Sequence, residues 1–198
     1  MFGTSSILRR SGLAAATVAL AGLTFAGCTT NTQNNSATPA QQRSEINSGA
    51  DSTLSKLYQA SPQSRELVQR AKGVLVFPAV LGGGFIVAGE YGKGVLRVGG
   101  QPVSYYTTAG GSIGFQAGAQ SRATVLLFMT DAALKKFRES NGWTVGADAT
   151  VAVAKIGANG SIDSNTYQQS VVGFVLNNAG LMAGVSIDGS KITRDTGL

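Results

Sequence analysis

Tyr105 to Arg138, YYTTAGGSIGFQAGAQSRATVLLFMTDAALKKFR, joins three kinds of signal. A glycine-rich strand candidate, Ser112 to Gly118, leads into the most apolar run after the N-terminal region, Val125 to Met129. A short basic helix is expected next. Thr130 and Asp131 stand where an N-cap and a first-turn acid belong, because a helix N-terminus leaves amide donors unpaired and carries partial positive charge. Leu134 and Phe137 give that helix an apolar face, and Lys135, Lys136 and Arg138 a cationic one. Sheet therefore passes directly into a charged surface helix.

Toward the N-terminus, the first 27 residues read as a segment to be removed. Arg9 and Arg10 form a charged n-region, and Leu13 to Phe25 an apolar h-region too short to span a bilayer as a helix. Ala26-Gly27 forms a small-residue cleavage site. Cys28, the only cysteine, follows directly. Phe25-Ala26-Gly27-Cys28 resembles the lipobox of bacterial lipoproteins, with Phe25 in place of the usual leucine. The resemblance implies an acylated Cys28 as the first mature residue. Thr29 stands where inner-membrane retention would have aspartate, which favours the outer membrane, facing the periplasm. An ordinary secretory signal followed by a chance cysteine, and a signal anchor, are the alternatives.

Removing Arg9 and Arg10 lowers the formal charge from +6 to +4. That mild excess suits contact with an anionic surface, and no nucleic-acid motif is present. Residues 28–44 are expected as a flexible tether, since Thr29 to Gln42 is too polar to offset its ordering entropy. A single domain is expected over 45–198, opening with Ile46, Ala50, Leu54, Leu57 and Tyr58 on one helical stripe. Ser61-Pro62 reads as N-cap and N1 of a second helix that stops at Gly73.

Of the 23 glycines after residue 27, 21 lie between Gly73 and Gly189, interleaved with Val, Ile, Phe and Tyr. Such interleaving predicts many short strands: 74–77, 84–89, 94–98, 103–107, 112–118, 124–129, 145–155, 170–176 and 182–187. Val145, Ala147, Ala149, Val151 and Val153 alternate as in a strand with one buried face. Asn177 to Gly180 and Asp188-Gly189 read as turns, and Trp143, after a helix C′ residue at Gly142, as the wedge between helix and sheet. The expected fold class is α+β: a mainly antiparallel curved sheet or small barrel-like core, N-terminal amphipathic helices, and one short helix near 131–140.

The chain has no histidine, which excludes His-based triads; with its one cysteine acylated it offers no thiol nucleophile and no usual zinc site. Glu90, Asp131, Glu139 and Asp148 are the acids nearest a paired-carboxylate arrangement, though acids beside turns and helix ends are usually solvated or capping. Gly82-Gly83-Gly84 and Gly89 to Gly94 miss the phosphate-loop pattern, because Val87 stands where its first glycine belongs and no Ser or Thr follows Lys93. No enzyme activity, cofactor or metal is expected.

Six segments together resemble a SYLF domain: AKGVLVFP (71–78), GGGFIVAGEYGKGVL (82–96), AGGSIGFQAGAQ (109–120), VLLFMTDAALKKFR (125–138), GWTVGADATVAVA (142–154) and GLMAGVSIDGSKIT (180–193). The bacterial lipoprotein branch is the best fit. The resemblance implies a non-enzymatic, lipid-binding domain, with the amphipathic segment Glu45 to Lys72 implicated in contact with anionic phospholipid. Candidate headgroup contacts are Arg65, Arg70, Lys72, Lys93, Arg97, Lys135, Lys136 and Arg138; a solvated helix face is the alternative for the helical ones. The expected partner is a phospholipid membrane, or else an envelope protein bound by a scaffolding module. A carrier of an apolar ligand within the sheet is a further alternative. Nucleic acid is not expected, nor is actin in this compartment, although some eukaryotic relatives are associated with it.

Overall fold

The computed structural model describes residues 37–84, 87–113, 120–154, 161–182 and 185–198, all within one compact unit that runs from Ser36 to Leu198. Residues 1–27, expected as a signal segment, and Cys28 lie outside the described residues.

Helix α1 spans Pro39–Ala60 and starts inside the segment expected as tether. A capping box explains the early start. Thr38 Oγ1 accepts from the Gln41 amide at 3.3 Å, Gln41 Oε1 accepts from the Thr38 amide at 2.8 Å, and Pro39 presets the first helical φ. Polar composition hid a helix that is held by its cap and by packing further along.

Ser61 caps the C-terminus of α1, its amide donating to Leu57 O at 2.9 Å, and does not begin the next helix. The chain turns through Pro62 and Gln63, and α2 spans Ser64–Arg70. Ser64 donates both its amide and its hydroxyl to the Ser61 carbonyl, so the expected helix start moves by two residues, from Pro62 to Ser64.

Four long strands follow: β1 (Gly73–Gly84), β2 (Val87–Val98), β3 (Gln101–Ile113) and β4 (Gln120–Phe128). After α3 (Asp131–Glu139) come β5 (Trp143–Thr144), β6 (Ala152–Val153), β7 (Val171–Asn177), β8 (Gly180–Leu181) and β9 (Lys191–Arg194). The sheet order is β5-β9-β3-β2-β1-β4-β7-β6, with β8 beside β7, and every pairing but β6 with β7 is antiparallel. Among the described residues it is an open curved sheet, within the expected α+β class.

Its central strands are buried on both faces, which is why they read as continuous apolar runs. Leu75, Phe77, Leu126 and Phe128 face one cluster with α3 and Trp143; Val74, Val76, Val125 and Leu127 face the other with α1 and α2. Pro78, which has no amide to give a ladder, sits where the register of β1 shifts against both neighbours. There α1 comes very close: a Cβ on Gly49 would meet Pro78 Cβ at 2.8 Å.

Two expected strands fail. Residues 145–154 do not form one extended strand, because the chain folds back at once: Asp148 N donates to Thr144 O at 2.9 Å, Asp148 Oδ2 accepts from Thr144 N at 2.6 Å, and Gly146 takes φ +87°. Only Ala152–Val153 pairs with β7, and Lys155 lies outside the described residues. Of the expected strand 182–187, Met182 and 185–187 lie in no strand and 183–184 lie outside the described residues; the strand that completes the β3 edge is β9, beyond the Asp188-Gly189 turn. Of the expected strand 112–118, residues 112–113 close β3 and 114–118 lie outside the described residues; within 84–89, so do residues 85–86.

Candidate functional site

The sheet has two ends. At the Gly73–Phe128 end, α2 runs into β1 and β4 runs into α3, so the basic residues of both helices gather there. Helix α3 forms as its sequence dictates: Thr130 Oγ1 accepts from Ala133 N at 3.2 Å, Asp131 stands in the first turn, and Lys136 and Arg138 stand in the last. Leu134 and Phe137 bury its apolar face. Ser140 provides the C-cap, which leaves Gly142 one residue beyond the expected C′ position. Trp143 is buried edge-on to Phe137, ring centroids 5.5 Å apart, and binds helix to sheet as expected.

The eight candidate cations divide by what holds them. Lys93 and Arg97 are committed inside the domain. Lys93 Nζ lies 3.1 Å from Asp195 Oδ2 and donates to Gln42 Oε1 at 3.0 Å, while Arg97 donates to Asp51 Oδ1 at 2.5 Å and to the Asn47 carbonyl at 3.1 Å. These bonds fasten α1 across β2. Arg65 stacks over Tyr58, with 4.4 Å from Cζ to the ring centroid. Burial pushes the Tyr58 hydroxyl above its ordinary range, and the charges of Arg65 and Arg97 pull it partly back. Arg70 pairs with Glu66 at 3.5 Å, one turn away on an exposed face. Lys72 reaches Asp131 at 3.8 Å and so links the start of β1 to the start of α3. Lys136 donates to the Asp148 carbonyl.

Lys135 and Arg138 are different. Both are exposed, and among the described residues neither forms an ion pair. They line an open depression of about 510 Å³ together with Asp131, Leu134, Glu139 and Arg194. Arg194, on β9, was absent from the sequence-based set. Its Cζ stands 5.9 Å from the Tyr106 ring centroid, so the guanidinium leans on an aromatic face and keeps its charge near solvent. Only the pairing of β9 with β3 brings it to α3, and local sequence carries no sign of that. Three cations thus converge with two carboxylates, one already facing Lys72. Such a depression suits a phosphate or carboxylate at its mouth.

The four acids considered for paired chemistry sit in separate settings. Glu90 accepts from Arg122 at 2.5 Å, Asp131 faces Lys72, Asp148 closes the turn after β5, and Glu139 borders the depression. The Glu90–Arg122 pair, unforeseen in sequence, edges a cavity of about 20 Å³ between Phe77, Leu126, Ile187 and Ile192. That is room for about one water, far below the roughly 300 Å³ or more of a ligand pocket. Side chains, not a guest, fill the sheet there. No helix among the described residues is long and apolar enough to cross a membrane.

Residues 109–198 match a family model described as Ysc84, Las17-binding protein actin regulator. The chain is 29% identical over 131 residues to an SH3 domain-containing YSC84-like protein 1 of Xenopus laevis, covering 64% of this chain and 39% of that protein. It is 30% identical over 133 residues to Protein YSC84 of Saccharomyces cerevisiae, covering 64% of this chain and 28% of that protein. Against the Homo sapiens SH3 domain-containing YSC84-like protein 1 it is 28% identical over 130 residues, covering 63% and 37% respectively. The chain therefore spans well under half the length of these curated relatives. Every residue lining the basic depression falls inside the family match.

Proposed function

Because this chain belongs to the Ysc84, or SYLF, family, a family of binding and regulatory domains, we propose that it is a membrane-anchored binding module that meets anionic phospholipid headgroups. The convergence of Lys135, Arg138 and Arg194 around an open depression carries this reading. Each cation near an anionic surface contributes on the order of 1 kcal/mol, whereas acyl chains contribute about 0.8 kcal/mol per buried methylene. Acylation of Cys28, on the periplasmic face of the outer membrane, supplies the residence, and the cations supply the preference. Catalysis has no part in it. The carrier alternative loses support from the filled interior.

Co-sedimentation of the unacylated protein with vesicles of phosphatidylethanolamine, with and without phosphatidylglycerol, tests the headgroup reading. Binding that rises with anionic content and falls with salt is expected; equal sedimentation with both vesicles refutes it. Incorporation of labelled fatty acid that disappears in Cys28→Ser tests the anchor. The family description names Las17 binding, which favours a polypeptide partner as the second reading. Crosslinking in intact cells that captures one dominant envelope protein, without any lipid effect, would bear that out.

A further inference from the structure

At the other end of the sheet, on the face that α1 covers, stands a row without a cover. Leu81 and Tyr91 are cross-strand partners on β1 and β2, and they are 61% and 51% exposed, the two most exposed large apolar side chains among the described residues. Val80 before Leu81 is buried in the α3-side cluster, and Glu90 before Tyr91 borders the cavity on that same side. Alternation therefore points Leu81 and Tyr91 to the α1 side. Ser121 and Ala109 flank them on β4 and β3.

Two residues back along each strand, about 7 Å, Ala79 and Lys93 line a groove against the first turns of α1, with Gln42, Ile46 and Pro78. Two residues forward lie Gly83 and Gly89, paired with each other; a Cβ added to either would meet nothing within 4 Å. The apolar pair thus stands between the end of a helix and a bare glycine plateau. Lys93, in the adjoining row, is neutralised by Asp195. An exposed Leu beside an exposed Tyr suits the bilayer interface, where an aromatic ring with a polar tip is at home.

Chain length selects the occupant. Helix α1 begins beside this row: Gln42 bonds Lys93, and Thr38 lies one helical turn, about 6 Å, before Gln42. Cys28 is ten residues before Thr38, a reach of at most about 35 Å fully extended. An acyl anchor at Cys28 would hold the Leu81–Tyr91 end against the leaflet that carries it. The basic depression lies on the opposite face, nearer the other end, so a flat bilayer meets one surface or the other.

We propose that Leu81, Tyr91 and the glycine plateau of Gly83 and Gly89 form the surface that rests in the anchoring leaflet. The cations of α3 and β9 then face away from that leaflet, open to the headgroups of another bilayer or to a soluble anion. This inference rests on acyl anchoring at Cys28, the anchor of the proposed function. It does not rest on the headgroup role of the cations. Leu81 and Tyr91 lie before the family match at 109–198.

Depth-dependent quenching tests it in the full acylated protein, reconstituted in phosphatidylethanolamine–phosphatidylglycerol vesicles that contain nitroxide-labelled lipid. Acylation blocks the single native thiol, so Leu81→Cys, Tyr91→Cys and Lys135→Cys each accept one dye. All three positions are exposed, and circular dichroism matching the parent protein checks the fold. About threefold stronger quenching at positions 81 and 91 than at 135 is expected. Equal or stronger quenching at 135, or quenching at none, overturns the inference. Protection of positions 81 and 91 by self-association without lipid also overturns it and makes a second copy the occupant. Two dyes per chain would show an unacylated Cys28 and remove the anchor itself, a failure legible apart from the quenching pattern.

Discussion

The two ends of the central sheet use opposite means. At the Gly73–Phe128 end, aromatic side chains fill the space between sheet and helix: Phe128 stacks on Phe137 at 4.6 Å, Trp143 stands edge-on to both, and Tyr106 lies 4.8 Å from Phe137. At the Gly83–Gly89 end, side chains are withheld, and the one large apolar pair points to solvent. Charge follows the same division. Lys135, Arg138 and Arg194, without ion-pair partners among the described residues, collect on the outside of the packed end, while toward the bare one Lys93 pairs with Asp195 and, on the α3 side, Arg122 pairs with Glu90. Stability is therefore concentrated where the helices are, and the remaining surface is left to meet a partner.

The sharpest way to break this contrast is truncation at each end. Trp143→Ala should cost about 3–5 kcal/mol, because a fully buried indole leaves a cavity that a closely packed cluster cannot collapse. Tyr91→Ala should stay within about 0.5 kcal/mol, as an exposed substitution does. Urea unfolding of both variants measures the difference, and similar losses would mean that the bare end carries structure too. Glycine substitution repeats the comparison within the ladder. A Cβ on Gly94 would stand 2.5 Å from both Phe77 Cδ1 and the Val76 carbonyl oxygen, so Gly94→Ala must move backbone, at a cost of about 1–3 kcal/mol. Gly83→Ala meets open space and should be close to neutral. A large loss at Gly83 would sink the plateau.

Charge is the next lever. Reversing both Lys135 and Arg138 to Glu should weaken binding of the unacylated protein to anionic vesicles by roughly thirtyfold, about 2 kcal/mol, at low salt. The effect should shrink as salt screens it. The same pair of reversals should leave stability nearly unchanged, since neither side chain has an ion-pair partner among the described residues. Unaltered vesicle binding would move the headgroup contact elsewhere.

The packed end was the more legible in sequence. Val125 to Met129 announced a strand, Thr130 and Asp131 a helix start, and Trp143 a wedge, because each signal is local and each local preference agrees with the tertiary outcome. Where the partner is distant, legibility ends. Lys93 and Arg97 look like free rim cations until Asp195, Asp51 and the Asn47 carbonyl arrive from elsewhere in the chain. Arg194 joins the depression only through the β9–β3 pairing. The alternation from Val145 to Val153 has the period of a strand, yet Gly146 and Asp148 turn the chain before a ladder can form. Thr38-Pro39-Ala40-Gln41 held a complete capping box that the polar composition around it masked.

Between the two ends lies the Lys93 row, the last that α1 covers, and its electrostatics give the smallest expected effect. Burial alone would raise the Asp195 carboxyl. The hydrogen bond from Lys93, the Gly197 amide at 3.0 Å, the Lys93 charge and the Thr107 hydroxyl together outweigh it, and they hold the group below its ordinary 3.8. A carboxyl lowered in the folded state stabilises fully above its unfolded value and loses that contribution as pH falls through the lowered one. The parent protein should therefore melt a few degrees above Asp195→Asn at neutral pH, the scale of an ion pair worth at most about 1 kcal/mol. That gap should close as pH falls through the lowered Asp195 value. Because Lys93 also holds Gln42, protonation should loosen the first turns of α1, and faster amide exchange there at low pH is the accompanying sign. A gap that does not change with pH would show that Asp195 acts by shape alone, and the junction between covered and bare sheet would then owe nothing to charge.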